Sequence, residues 1–314
     1  MGYTSRNKAE KEDKVPEYKK RRVEQEQRVD DVELMMAASQ EHIPFEQRYI
    51  VVYGDQGLGK TKFAAELGVA LQKKYGLSSS GTYFLQCEDI NHDWNIRRSD
   101  IFTWPTFQAF IDKARANRSF VDSVKMWVID PIDALLAKGL SMVCHENGCA
   151  DPMEMRRRIG EDWFSTAYPE LATELMYELH ELKSMGPGIL LVAHERSTGK
   201  RIIDGMEVEV PQMDLPKSSH TPLANICSMI LRMKYRDPLA EERKGTVPGR
   251  CLVAVSDTEV VKDNLNVVLP RCPDGTIPFE TEREAVAKLL GCFSGEIVRK
   301  FTKKFKKTKK VKRR

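Results

Sequence analysis

The sequence predicts an α/β fold: a central, mainly parallel sheet flanked by helices, with antiparallel strands at its edge. Two observations carry that prediction. From Gln47 onward, short apolar runs alternate with stretches of helical periodicity, and strands separated by helices imply parallel βαβ units. The first run also passes through a glycine-studded turn straight into an amphipathic stretch, "VVYGDQGLGKTKFAAELG" at 51–68, so one strand-turn-helix junction is legible directly.

Each element follows from its own letters. "RYIVVYG" predicts a strand, and residues 60–75 a helix with Phe63, Leu67, Ala70 and Leu71 on one face. "GTYFLQCED", a helix over 105–117, "VKMWVID", a helix over 163–185 and "GILLVAHE" continue the alternation. "ICSMILRMKY" and "RCLVAVSD", followed by "EVVKDN", predict edge strands with shorter connections, and "TEREAVAKLLG" predicts a closing helix. Residues 139–162 and 195–220 interrupt this rhythm and are expected to be long loops, which in a compact domain are usually functional. No internal repeat is present. Residues 1–46, charge-mixed and poor in large apolar groups, are expected to form a flexible extension, 47–292 the folded body, and 293–314 a tail.

Composition narrows the function classes. With 41% hydrophobic and 31% charged residues, the chain has the makings of a globular protein with a sizeable core. No apolar run approaches the roughly 18 residues of a membrane span, so no membrane partner is expected. The first residues lack a signal-peptide apolar region, and Arg6 stands where a myristoylation pattern wants Ser or Thr, so the expected location is the cytoplasm (a host's, if the protein is viral). Seven scattered cysteines argue against a secreted disulfide framework. "CHENGC" at 144–149 offers Cys144, His145 and Cys149 without a paired fourth ligand, and buried or loop thiols are the simpler reading. The net charge of +4 conceals an asymmetry: "FTKKFKKTKKVKRR", residues 301–314, holds nine basic groups and no acidic one, leaving the rest net negative.

The chemistry concentrates at 54–61. Gly54, Asp55, Gln56, Gly57, Leu58, Gly59, Lys60 and Thr61 match GxxxxGK[ST] in full, between a strand and a helix. Backbone amides of such a turn, backed by a helix N-terminus, cradle a phosphate, and glycines let the chain wrap it. Lys60 is expected to reach the β- and γ-phosphates, and the Thr61 hydroxyl to bind Mg²⁺. GxGxxG does not fit, because Lys62 stands where its third glycine belongs. "MWVID" ends a strand on Asp130, expected to adjoin the phosphate-loop strand and to share the magnesium. Pro131 follows, so the Asp-Glu pair of many ATPases is missing. The replacement expected to orient water is Glu88, at the tip of the strand taken to lie next to the phosphate loop, with Asp89 and Asp133 as lesser alternatives. His194, ending "GILLVAHE", is expected within reach of a γ-phosphate and able to report it to the segment that follows.

These pieces in this order resemble the RecA-like P-loop ATPase core over residues 47–270. Within it they resemble the phage-type nucleotide-binding proteins of single-strand annealing and recombination. The resemblance implies ATP and Mg²⁺ as cofactors, and single-stranded DNA along the segments after the aspartate strand and after the polar sensor, here 139–162 and 195–220. It also places Lys262 of "VVKDN" where a lysine acts on the neighbouring subunit's nucleotide. Asn264 replaces a second lysine there, which weakens the parallel, and homo-oligomerisation is left open.

The residues themselves point to DNA mainly through the tail. Its nine cations interleaved with Phe301 and Phe305 suit phosphate neutralisation and base stacking. A solubilising, targeting or general polyanion-binding tail is the plainer alternative. The expected function is an ATPase binding single-stranded DNA in recombination, annealing or replication. The alternatives are a nucleotide-switched assembly or partner-loading ATPase without DNA action, and a helicase or packaging motor.

Overall fold

The structure, a computed structural model, describes residues 43–89, 96–160, 163–203, 206–236, 249–254, 256, 261–264, 267–268, 270 and 272–294. Met1–Ile43 and Pro44–Arg314 separate as two units, and every described helix and strand lies in the second. The expected extension up to residue 42 and the tail from 295 lie outside the described residues.

β1 (Tyr49–Gly54) is buried beyond its first residue and leads through the glycine turn into α1 (Lys60–Tyr75). β2 (Thr82–Gln86), a short β3 (Arg98–Asp100), α2 (Trp104–Ala116), α3 (Arg118–Asp122) and β4 (Met126–Asp130) follow. Next come α4 (Ile132–Glu146), α5 (Pro152–Ile159), α6 (Trp163–Ser184), the long β5 (Gly188–Ile203) and β6 (Met206–Met213). α7 (Lys217–Ile226), β7 (Met229–Tyr235), β8 (Arg250–Val253), β9 (Lys262–Asp263), β10 (Thr276–Phe279) and α8 (Glu282–Ser294) complete the described chain.

The strand order is β10-β8-β7-β1-β5-β4-β2-β3, with β6 on β5 and β9 on β7. β7, β1, β5, β4, β2 and β3 run parallel, whereas β8, β9 and β10 pair antiparallel. This is the α/β class that the alternation predicts. Parallel strands covered on both faces read as continuous apolar runs, and the two faces separate cleanly here. Val51, Leu85, Ile129 and Leu191 pack with α2, α4 and α6. Ile50, Phe84, Val128 and Leu190 pack with α1 and α8.

Four expectations need correction. β7 is not an edge strand but the inner neighbour of β1, from Ile50↔Met229 to Tyr53↔Arg232. Its Arg232 is accommodated at this inner position by pairing with Glu195. Residues 139–162 are not a loop: α4 runs through Gly139 to Glu146, and α5 fills 152–159 behind an Asp151 cap. Gly139 reads as a breaker but serves close approach, since a Cβ there would lie 2.4 Å from Leu171 and 2.8 Å from Trp104. Residues 195–220 are not a loop either; β5 continues to Ile203, returns as β6, and enters α7. Finally, β1 adjoins neither the Asp130 strand nor the Glu88 strand, because β5 lies between β1 and β4, and β2 lies beyond β4.

All seven cysteines are unbridged and buried. Cys144 and Cys149 join Val143, Met155 and Ala167 in a small apolar cluster between α4, α5 and α6, an ordinary core use of thiols. Among the described residues, no helix is long and apolar enough to cross a membrane.

Candidate nucleotide site

The glycine turn stands at the carboxyl end of β1. Gly59 caps α1 with φ 93°, a left-handed backbone that favours glycine, and no side chain caps that helix. Its leading amides are therefore left for an anion. Lys60 is only 6% exposed, and its ammonium donates to the carbonyls of Gly54 (2.8 Å) and Asp55 (2.7 Å). Burial lowers its pKa, against the pull of Asp130, Asp133, Asp55 and Glu195.

Asp130 ends β4, 2% exposed. Burial pushes its pKa up to about 6, while a hydrogen bond with the Thr61 side chain and the nearby Lys60 charge pull the other way. Its Oδ2 has no partner among the described residues. A buried carboxylate with a spare oxygen beside a threonine hydroxyl is a hard oxygen donor set, which suits Mg²⁺. Thr61, in the first turn of α1, and Asp130 thus meet although β1 and β4 are not neighbours.

His194 on β5 pairs in register with Gly54. Its amide donates to Asp133 Oδ1 (2.9 Å), and its Nδ1 lies 2.7 Å from Asp133 Oδ2. That hydrogen bond raises the imidazole pKa against the opposing effect of burial, and it leaves Nε2 as the nitrogen for a ligand. Glu88, just past β2, comes close enough that ligand atoms of Glu88, Asp133 and His194 all lie within 4.8 Å of one another. Glu88, Asp130, His194 and the phosphate loop line one cavity of about 530 Å³. Asp89 faces a neighbouring cavity of about 720 Å³ instead. Asp133 does not line the nucleotide cavity; it holds the histidine that does.

Two groups at this site escaped the sequence reading. Glu195 forms a two-pronged ion pair with Arg232 of β7, at 2.8 and 2.6 Å, directly behind His194. Glu282, opening α8, reaches the loop from the other side and pairs with Arg250 and Lys62. Neither pair has a local spacing that could have signalled it.

A family model described as an AAA domain matches residues 46–261, more than half of the chain. The chain belongs to the AAA-domain family of P-loop ATPases. No curated protein matches the sequence.

Lys262, one residue past the matched AAA segment, stands apart from the cavity. It lies on β9 opposite Ile230, level with Val51 rather than with the phosphate loop. Its ammonium donates to the carbonyls of Ala224 (2.7 Å) and Asn225 (3.3 Å) at the end of α7, where a cation favours the helix dipole. Of the expected site residues, the AAA domain therefore gathers Lys60, Thr61, Glu88, Asp130 and His194 around one cavity and leaves Lys262 outside it.

Proposed function

We propose that this AAA-domain protein is a Mg²⁺-dependent ATPase that binds single-stranded DNA and serves recombination, annealing or replication, in the manner of the phage-type RecA-like group. The observation that carries the ATPase reading is the meeting of Thr61 with the buried Asp130, with Glu88 and His194 across the same cavity. The turn from Gly54 to Thr61 would hold the phosphates, Lys60 leaving its carbonyl partners for the β- and γ-oxygens. Thr61 and Asp130 would hold magnesium, which when bound neutralises charge on the phosphates. Glu88 accepts a proton from water and orients it. His194, its ring locked by Asp133, offers Nε2 to the terminal phosphate.

What supports the DNA reading lies on α5 and where β5, α6 and α7 line one cavity. α7 begins at Lys217 with no side-chain cap, so its first amides are open to a phosphate. Arg196, Lys217 and Ser218 line a cavity of about 520 Å³ at that point, with Tyr168 alongside. Asp214 shares the cavity and tempers its charge. On α5, Arg156, Arg157 and Arg158 are exposed, although Arg158 is engaged by Glu154 and the Gly148 carbonyl. The basic tail 301–314 would add neutralising charge. Lys262 enters this reading only across a subunit boundary, on a neighbour's nucleotide.

One experiment tests the whole: ATP turnover with and without single-stranded DNA, particle size followed in parallel. DNA-stimulated turnover supports the reading. Turnover that DNA leaves flat, with a nucleotide-dependent change in size, favours a switched assembly ATPase instead. Deleting residues 301–314 is expected to lower DNA affinity and flatten its salt dependence; unchanged binding would move the DNA contact to α7 and β5–β6.

A further inference from the structure

The phosphate loop has two flanks. Asp130, Glu88 and His194 reach it from β4, β2 and β5, all on one side of β1 in the sheet order. If the terminal phosphate lies among them, the triphosphate runs back along the loop, and its nucleoside emerges on the opposite flank. That flank belongs to β8, β10 and α8. Among the described residues that line the cavity, one carboxylate comes from there. Glu282 is 4% exposed yet lines the nucleotide cavity together with Gly59 and Lys62.

A carboxylate against an anion cradle is costly unless something requires it. The chain goes to some length to keep it. Arg250 hydrogen-bonds Glu282 Oε1 and also donates to the Leu58 carbonyl of the loop (2.8 Å) and to the Glu280 carbonyl (2.9 Å). Its guanidinium lies 5.1 Å from the centre of the Phe279 ring. Lys62 stands 3.2 Å from Glu282 Oε2. Burial would raise the carboxyl pKa, but Arg250, its own amide and Lys62 together hold it below the usual carboxylate range. The charged form is thus fixed in place, touching the loop so closely that a Cβ on Gly59 would meet it at 2.4 Å. An ionised carboxylate accepts about four hydrogen bonds, so acceptor capacity is left beyond these partners.

We propose that Glu282 is a specificity-determining residue that accepts a hydrogen bond from the nucleoside of the bound triphosphate, either a sugar hydroxyl or the exocyclic amine of the base. The proposal rests on the ATPase reading above and deepens it. It assigns α8, which lies beyond the matched AAA segment, a part in substrate choice.

The test is a binding series on the full chain with Mg²⁺: ATP, its 2′-deoxy and 3′-deoxy forms, and purine riboside triphosphate, which lacks the amine. A hydrogen bond to a charged group predicts that one analogue loses about ten- to a hundredfold in affinity. Loss with a deoxy form identifies the sugar, and loss with the purine riboside identifies the amine. In Glu282→Ala that ratio is expected to fall to about one while the phosphate loop still binds. Should that variant not fold, Glu282→Gln carries the same test, since it keeps the shape but gives up part of the acceptor capacity. Equal affinity of wild type for all four nucleotides overturns the proposal, and so does discrimination that survives in both variants. Failure of the underlying ATPase reading looks different: no nucleotide binds at all, or Lys60→Ala binds as well as wild type.

Discussion

The two flanks of the phosphate loop are held by different physics. On the β5-β4-β2 side, each candidate residue stands where an apolar parallel run stops, so the sheet itself fixes its position. Asp130 is the last residue of β4, His194 the last residue of β5 in register with β1, and Glu88 lies two residues past β2. His194 and Asp130 follow Ala193 and Ile129, both fully buried. On the β8-β10 side, position comes from charge: Arg250 bridges Leu58, Glu280 and Glu282, and Lys62 completes the group. A packed strand end resists displacement by chemistry elsewhere, whereas an ion-pair cluster can exchange partners with an incoming anion. The first plan suits groups that act on bonds, and the second suits groups that sort ligands.

Substitutions can break this contrast. The largest effect expected is on the strand-end flank: Glu88→Gln should keep Mg²⁺-ATP binding but lower turnover by about 10²- to 10⁴-fold. Wild-type turnover in that variant would strip the glutamate of its role. In Lys60→Ala the lost phosphate contacts predict about 10²- to 10³-fold weaker nucleotide binding by calorimetry. Gly59→Ala sits where the flanks touch, and its left-handed backbone alone costs about 1–3 kcal/mol. It should lower the thermal midpoint by several degrees, and Glu282→Ala in the same chain should recover part of that loss, because the two groups share space. Fully additive midpoints would mean that they do not.

The smallest effect is a pH dependence. Asp130 titrates near 6 in the fold, above its ordinary value, so the folded state disfavours its charge. Its penalty is absent at low pH, grows as the pH rises toward about 6, and is complete above it. Magnesium needs the ionised form, so metal-nucleotide affinity should weaken as the pH falls through that value. Asp130→Asn should raise the metal-free midpoint at pH 8 by a few degrees and remove this pH dependence of metal-nucleotide affinity.

The contrast also explains what was readable from the sequence. Strand-end groups announce themselves because an apolar run stops on a polar letter, as in "MWVID" and "GILLVAHE". Thr61 sits in a fixed local spacing for the same reason. The order of strands is not local: nothing in "GILLVAHE" says that it inserts between "YIVVYG" and "MWVID". The Glu282 cluster joins residues that only tertiary packing brings together, so no window of sequence contains it. Nor does any local spacing show that Arg232, a charge inside an apolar run, is compatible with an inner strand because Glu195 pairs with it. The β5–β6 pairing was legible in principle. Asp204 and Gly205 separate the paired Ile203 and Met206, and an Asp-Gly step between such runs is a strong hairpin signal.

β5 itself has a mechanical consequence. Its first half is clamped between β1 and β4, and its second half, among the described residues, pairs with β6. His194 sits at the boundary, with Ile203 nine residues further on. At about 3.3 Å per residue, the far end of that oar lies up to roughly 30 Å along the strand from His194. A tilt of about 5° at the rowlock, no more than one hydrogen bond's worth of adjustment, would sweep the blade by some 2 to 3 Å.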